Sequence, residues 1–280
     1  MRSGFVAMVG RPNVGKSTLV NAICGSKISI VSDKPQTTRH QVRGILTRDD
    51  VQAVFVDTPG LHKPVSALGE RLNATASDAL SDVDVVCFVV DGLKPFGTGD
   101  GWVAHRLPER AVVVVNKVDR ASKQQVLTQL TRAQRAVPAA EAFFPVSAQS
   151  GEGVDVLVEH LLARLPDGPM FYPADAISDV DESQRIAELV REQLLAVTHE
   201  ELPYSIATRI TEWEGMRIRC QIVVERESQK GMVIGKGGQV LKQVGIAVRR
   251  QLPPGTHIDL QVVVDPEWQR RPDRIERLGY

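Results

Sequence analysis

Between the β-branched run Phe5–Val9 and the amphipathic stretch Ser17–Cys24 lies Gly10-Arg11-Pro12-Asn13-Val14-Gly15-Lys16-Ser17, followed by Thr18. A glycine–lysine loop that leaves a strand and enters a helix opens an α/β unit, and this is the context a phosphate-binding loop requires. The glycines let successive backbone N–H groups turn inward around a β-phosphate, aided by the positive end of the helix. Lys16 then reaches the β- and γ-phosphates, and the Ser17 hydroxyl is placed to bind Mg²⁺.

The loop alone does not choose between nucleotides. Asn116-Lys117-Val118-Asp119, directly after the apolar run Ala111–Val115, points to guanine. A carboxylate at Asp119 accepts from both N1–H and the exocyclic amine of guanine. Adenine lacks that amine and has no proton on N1, so it would leave the carboxylate unpaired, a discrimination of roughly 10⁴–10⁵. The Lys117 stem is expected along the base, and Asn116 between this loop and the phosphate loop. Ser147 and Ala148, after Val146, are expected to offer a backbone N–H to guanine O6. Between the two motifs stands Asp57-Thr58-Pro59-Gly60. Asp57, at a strand end, is placed to hold Mg²⁺ through water, and the Gly60 N–H to meet a γ-phosphate. In Gln36-Thr37-Thr38-Arg39-His40, Thr38 rather than Thr37 is expected to close over Mg²⁺ when a γ-phosphate is present. Lys16, Thr38, Asp57 and Gly60 form the expected catalytic set, and 32–41 and 58–70 the switch segments.

The rest of the first half repeats the strand–helix alternation. Strand-like runs at Val42–Thr47, Ala53–Asp57, Val83–Val90, Ala111–Val115 and Ala142–Val146 alternate with helix-like Leu68–Leu80, Lys123–Ala136 and Val154–Leu165. That order predicts a mostly parallel six-stranded sheet with helices on both faces, and Arg48-Asp49-Asp50 predicts one antiparallel hairpin. At Pro166-Asp-Gly-Pro the texture breaks. The order then becomes α-β-β-α-α-β, so the chain divides into a domain over 1–166, a linker over 167–181 and a second domain over 182–280. Asp181–Thr198 is a helix candidate with Ile186, Leu189, Val190, Leu194 and Val197 on one face.

Formal net charge is zero over the 280 residues, so whole-chain electrostatics selects no partner. Locally, 229–250 carries Lys230, Lys236, Lys242, Arg249 and Arg250 with no acid, around the loop Gly235-Lys236-Gly237-Gly238. The longest apolar runs fall well short of the ~20 residues a spanning helix needs, and no export signal opens the chain. Cys24, Cys87 and Cys220 are scattered, as buried thiols of a reducing cytosol would be. A cytoplasmic monomer without a metal cluster is expected, nothing resembling a coiled-coil seam.

Taken together, the phosphate loop with Asn13, Gln36-Thr-Thr-Arg-His40 and Glu225-Arg-Glu-Ser-Gln-Lys-Gly-Met-Val-Ile-Gly-Lys-Gly-Gly238 with the closing Trp268…Leu278-Gly-Tyr280 resemble the Era-type GTPases of the translation-factor-related class. The resemblance covers nearly the whole chain in the right order. It implies a GTPase domain followed by an α+β type II KH domain. It further implies binding of GTP and GDP with Mg²⁺, GTP hydrolysis (expected to be slow because Leu61 follows Gly60), and assistance to assembly of the small ribosomal subunit through the single-stranded 3′ region of 16S rRNA. In a KH domain the glycine loop lets a single-stranded RNA backbone approach and an adjacent groove reads the bases. Gly235 and Gly238 are then the loop ends, Lys236 faces phosphate, Ile234 and Val233 line the groove, and Lys230, Gly237 and Lys242 complete the surface. Asn13 suggests K⁺ as an auxiliary positive charge. The resemblance also allows weak peripheral association with the inner face of the cell membrane, where each basic residue contributes about 1 kcal/mol.

Leu61 departs from the small signalling GTPases, which place a water-orienting glutamine after the Asp57-x-x-Gly60 glycine. Another element must position the water, or Leu61 simply packs against a switch helix. Competing readings are an ATPase or kinase, which Asp119 opposes, and an RNA-binding or membrane-peripheral regulator on a GTPase fold with little turnover, which Lys16, Ser17 and Asp57 oppose.

Overall fold

The computed structural model describes residues 1–64 and 66–280; Val65, inside the expected second switch segment, lies outside the described residues. The chain divides into two compact units. One comprises Met1–Val31, Gln36–Val65 and Gly69–Asp179, the other Ser32–Pro35, Ser66–Leu68 and Val180–Tyr280.

In chain order the first half contains β1 (Arg2–Val9), α1 (Lys16–Cys24), β2 (Val42–Arg48), β3 (Val51–Asp57), α2 (Ala67–Asp78), β4 (Val85–Asp91), α3 (Thr98–Ala104), β5 (Val112–Asn116), α4 (Lys123–Ala136), β6 (Ala142–Pro145) and α5 (Val154–Ala163). The strands form one sheet in the order β2-β3-β1-β4-β5-β6. Only β2 runs antiparallel, joined to β3 by the turn at Asp49, whose φ of +44° places it in the left-handed region. Alternation along each strand decides which layer a residue enters. Val6 and Met8 pack with Leu19 and Val20 of α1 and Leu157 and Leu161 of α5. Ala7 and Val9 face the opposite way, with Ala76 of α2, Val103 of α3 and Ala133 of α4. Covered on both sides, β4 and β5 are buried along their whole length, which explains their continuous apolar runs.

The register brings the chemistry to one edge. Met8 pairs with Asp57, and Asp91 with Asn116, so the loops leaving β1, β3, β4 and β5 emerge side by side at the carboxyl ends of the strands. This is where open α/β sheets place their ligands.

Residues 167–179, most of the linker expected over 167–181, run back over the first unit. Gly168 N donates to Met1 O at 3.1 Å, and Ile45 N donates to Ile177 O at 2.9 Å. Bridges pair Arg2 with Asp167 and Gly44 with Ser178. Phe171 lies with its ring centroid 4.8 Å from that of Phe5.

Beyond it come α6 (Glu182–Val197), α7 (Leu202–Ser205), β7 (Ala207–Glu214), β8 (Arg217–Val224), α8 (Glu227–Ile234), α9 (Gln239–Arg249), β9 (His257–Val264) and α10 (Pro272–Arg277). Asp181 caps α6, its Oδ1 accepting from Ser183 N at 2.9 Å and Gln184 N at 3.3 Å. The sheet order is β7-β8-β9, with β7 antiparallel and β9 parallel to β8. Ile186, Leu189, Val190 and Leu194 of α6 share a core with Cys220 and Ile222 of β8 and with Val244 and Val248 of α9. The C-terminal turn is held by Trp268, wholly buried, which stacks on Tyr280 and donates Nε1–H to Ser205 O at 3.0 Å.

Candidate functional site

Asn116 knots the loops of the first unit together. Its Nδ2 donates to Val14 O at 3.0 Å, and its Oδ1 accepts from Lys117 N at 2.8 Å and Ala148 N at 3.0 Å. Lys117, in the left-handed region at φ +69°, extends its stem toward the phosphate loop, where Nζ donates to Asn13 O at 2.6 Å. The same ammonium meets Asp91 Oδ2 at 2.7 Å. Asp91 is buried and also accepts from Leu93 N at 2.9 Å, so it is oriented from two sides. Asp91 belongs to none of the sequence motifs, although its position at the end of a parallel strand, like Asp57 and Asn116, marks it in principle. Asp119 stays exposed, steadied by Ser147 Oγ at 2.6 Å from its Oδ1.

The Ala148 N–H, expected to meet guanine O6, donates here to Asn116 Oδ1 at 3.0 Å, and Ser147 N donates to Glu152 O at 2.8 Å, so both groups help to fold the base loop.

On the phosphate side, Lys16 is buried, and its Nζ donates to Gly10 O at 3.3 Å and Arg11 O at 3.2 Å. Burial pushes its pKa down to about 8, partly offset by the charge of Asp57. Burial likewise pushes the Asp57 carboxyl up, opposed by Lys16. Each charge is poorly solvated where it sits, and a phosphate or a cation arriving there relieves that cost. Ser17 Oγ lies 2.8 Å from Thr38 Oγ1, which in turn lies 3.5 Å from Asp57 Oδ2. Asp57 Oδ1 is buried with no hydrogen-bond partner. Two hydroxyls and a carboxylate with an oxygen to spare make an all-oxygen donor set, which fits Mg²⁺. Arg11 is turned aside, its Nε 2.6 Å from the buried Asp100 of α3.

Gly60 sits against the phosphate loop so closely that a Cβ built on it would lie 2.5 Å from the Pro12 nitrogen. Thr58 Oγ1 donates to Met8 O at 2.8 Å, tying the start of this segment to β1. Leu61 is buried in the core that contains Ala76 of α2, so it packs and presents nothing to a nucleotide. Arg39 is 2% exposed.

In the second unit, α8 ends in the loop Gly235-Lys236-Gly237-Gly238, with Gly235, Gly237 and Gly238 all at positive φ. Gly235 and Gly237 are required for different reasons. A Cβ on Gly235 would meet Val240 Cγ2 at 2.5 Å, whereas nothing lies within 4 Å of one on Gly237, whose φ of +60° is the constraint. Lys236 and Lys242 are exposed, Lys230 and Ile234 half-buried. Val233, expected in the groove, presents no surface: it is wholly buried in the core of the unit, because residues 233 and 234 point to different sides of α8. Met232, absent from the expected RNA set, is 61% exposed beside the loop.

Comparison with known proteins follows the same division. Residues 5–117 match the family model of the 50S ribosome-binding GTPases, and residues 201–269 that of the KH domain. The chain is 43% identical to GTPase Era of Mycobacterium sp. (strain JLS) over 295 aligned positions, spanning 100% of this chain and 99% of the relative. It is 44% identical to GTPase Era of Mycobacterium tuberculosis (strain ATCC 25618 / H37Rv), spanning 99% and 98%. Among solved structures it resembles Era in complex with MgGDPNP and nucleotides 1506-1542 of 16S ribosomal RNA, with a TM-score of 0.95 and 36% identity over 100% of this chain and 99% of the other. It also resembles a single-site variant of Aquifex aeolicus Era bound to GDP and AlF4⁻, with a TM-score of 0.93 and 35% identity over the same shares.

Proposed function

Because this chain belongs to the Era family of GTPases, we propose that its GTP-bound form grips the 3′ region of 16S rRNA through the Gly235–Gly238 loop during small-subunit assembly, and that hydrolysis times release. The observation that carries this reading is the pairing, in one chain, of a guanine-nucleotide site knotted by Asn116 with a basic glycine loop in a separate unit. An Era protein of the same fold is bound to nucleotides 1506-1542 of that RNA together with MgGDPNP.

In the first unit, Asp119 selects guanine, and Lys117 and Asp91 hold the base loop to the phosphate loop. Lys16 and the phosphate-loop N–H groups take the β- and γ-phosphates, and the Gly60 N–H meets the γ-phosphate. Ser17, Thr38 and Asp57 would hold Mg²⁺, which when bound neutralises charge that develops on the phosphates. Thr38 couples the γ-phosphate to the segment around it, so hydrolysis releases that segment. In the second unit, Lys236 and Lys242 neutralise RNA phosphates while the absence of side chains at Gly237 and Gly238 permits close approach. Met232 and Ile234 supply the apolar groove wall in place of Val233.

The reading takes the protein as a cytoplasmic monomer. Separately, among the described residues no helix is long and apolar enough to cross a membrane. The role of K⁺ near Asn13 rests on resemblance, and equal kcat in Na⁺ and K⁺ buffers would remove it. The test of the whole reading is binding of a 1506-1542 RNA to wild type and Gly237→Asp, each with GDPNP and with GDP. Tighter binding with GDPNP, lost in the variant, supports it. Equal affinities in both nucleotide states would sink the switch, since coupling between two sites is reciprocal.

A further inference from the structure

Position 61, where a glutamine could orient the attacking water, is filled by a leucine facing the core. We infer that His62 is a positioning residue for hydrolysis, joining the segment that carries Thr38 to the glycine that faces the γ-phosphate.

His62 Nδ1 lies 2.9 Å from Gly60 O, and Nε2 lies 3.0 Å from Gln36 Nε2. A carbonyl only accepts, so Nδ1 carries the proton and Nε2 is left to accept from the Gln36 amide; one neutral tautomer satisfies both contacts. The peptide between Gly60 and Leu61 is therefore pinned at both ends. Its oxygen is held by His62, and its N–H donates to Gly10 O at 3.1 Å. The backbone of His62 is itself clasped by Asn73 of α2, whose Oδ1 accepts from His62 N at 3.3 Å and whose Nδ2 donates to His62 O at 2.5 Å. On the far side of the imidazole, Gln36 holds a left-handed φ of +59°, a conformation that a non-glycine residue keeps only when its surroundings impose it. Thr38 follows two residues later, against Ser17 and Asp57.

The imidazole thus sets the distance between the two segments that must close on the γ-phosphate and its water. Neither contact reaches the guanine loops, so turnover should change while GDP binding should not. The role assigned to His62 rests on the GTPase activity of the family.

The test is the single-turnover and steady-state rate of phosphate release, with GDP affinity alongside, for wild type, His62→Ala, Gln36→Asn and the double variant. Asparagine tolerates the left-handed φ but is one methylene too short to reach the ring. Each single variant is expected to lower kcat at least tenfold with GDP affinity within twofold, and the double to be no slower than the worse single. A kcat within twofold of wild type in either single variant, or penalties that multiply in the double, would overturn the assignment. So would loss of GDP binding, which would make His62 a scaffold of the whole site. A wild-type chain that releases no phosphate would fail the GTPase reading itself, a result distinct from active wild type beside equally active variants.

Discussion

Gln52 Oε1 accepts the N–H of Tyr172 at 3.0 Å while Gln52 Nε2 donates to the carbonyl of the same residue at 2.9 Å, so one buried side chain satisfies both backbone groups of Tyr172. The amide is used completely: Oε1 also accepts from Phe171 N at 2.8 Å, and Nε2 also donates to Thr47 Oγ1 at 3.0 Å. A glutamine near the start of a strand whose next four residues, Ala53–Val56, are apolar is explained by this, since β3 buries every side chain and an amide there needs all its partners. Replacing Gln52 by Leu leaves the Phe171 and Tyr172 N–H groups without their acceptor, at a cost of about 1–3 kcal/mol. Denaturant unfolding should show that loss, and limited proteolysis should show new cleavage within 167–179, with GDP affinity unchanged.

The proposed guanine selector, Asp119, is held by Ser147. An Asp119→Asn chain should lose GDP affinity by on the order of 10⁴ and gain xanthosine diphosphate, whose 2-oxo group accepts from the new amide. Competition binding with the two diphosphates checks this. Unchanged GDP affinity would remove Asp119 from the base site.

Lys16 should make the nucleotide-free protein less stable than it could be. Its folded pKa of about 8 lies below the unfolded value of 10.5, so between these pH values the unfolded chain binds more protons and wild-type stability rises with pH. Below pH 8 the full penalty applies, on the order of 3 kcal/mol. Lys16→Met should therefore unfold at higher denaturant than wild type at pH 7, and its advantage should shrink as pH rises from 8 toward 10.5. It should not bind GTP. Unfolding midpoints of stripped protein across that range provide the check, and a pH-independent difference would refute the burial argument.

For RNA, Lys236→Ala should weaken binding at all sequences alike and reduce the salt slope by about 0.7, the share of one neutralised phosphate on a single strand. Gly237→Asp should remove binding altogether, through strain at φ +60° and repulsion of phosphate. Thermal unfolding of Gly237→Asp should drop only by the cost of one non-glycine residue in the left-handed region, about 1 kcal/mol, because its Cβ meets no neighbour within 4 Å.

The strand–helix alternation, the antiparallel hairpin, the two units and the loops at Gly10–Ser17, Asp57–Gly60 and Asn116–Asp119 were all legible along the chain. The reason is that each depends on local backbone geometry and on periodicities of two or 3.6 residues. Short helices were not. Thr98–Ala104 contains two glycines and reads as loop; it exists because Asp100 caps it, accepting from Gly97 N at 2.9 Å, and because Val103 is buried. Helical phase also misled at the RNA loop, where Val233 turned inward and Met232 outward.

What the sequence by itself determined was the inventory of candidate groups: a glycine–lysine loop between strand and helix, the Asn116–Asp119 motif proposed for guanine, the hydroxyls and carboxylate proposed for Mg²⁺, and a basic glycine loop, each set by residues close along the chain. What only the tertiary structure decided was which side chains meet across the sheet and between loops. Asp91 reaches Lys117, Asp100 reaches Arg11, Gln52 reaches Tyr172, and His62 reaches Gln36. Those meetings follow from strand order and register, with partners 26 to 120 positions apart, and no local pattern of residues encodes which distant strand end will lie alongside.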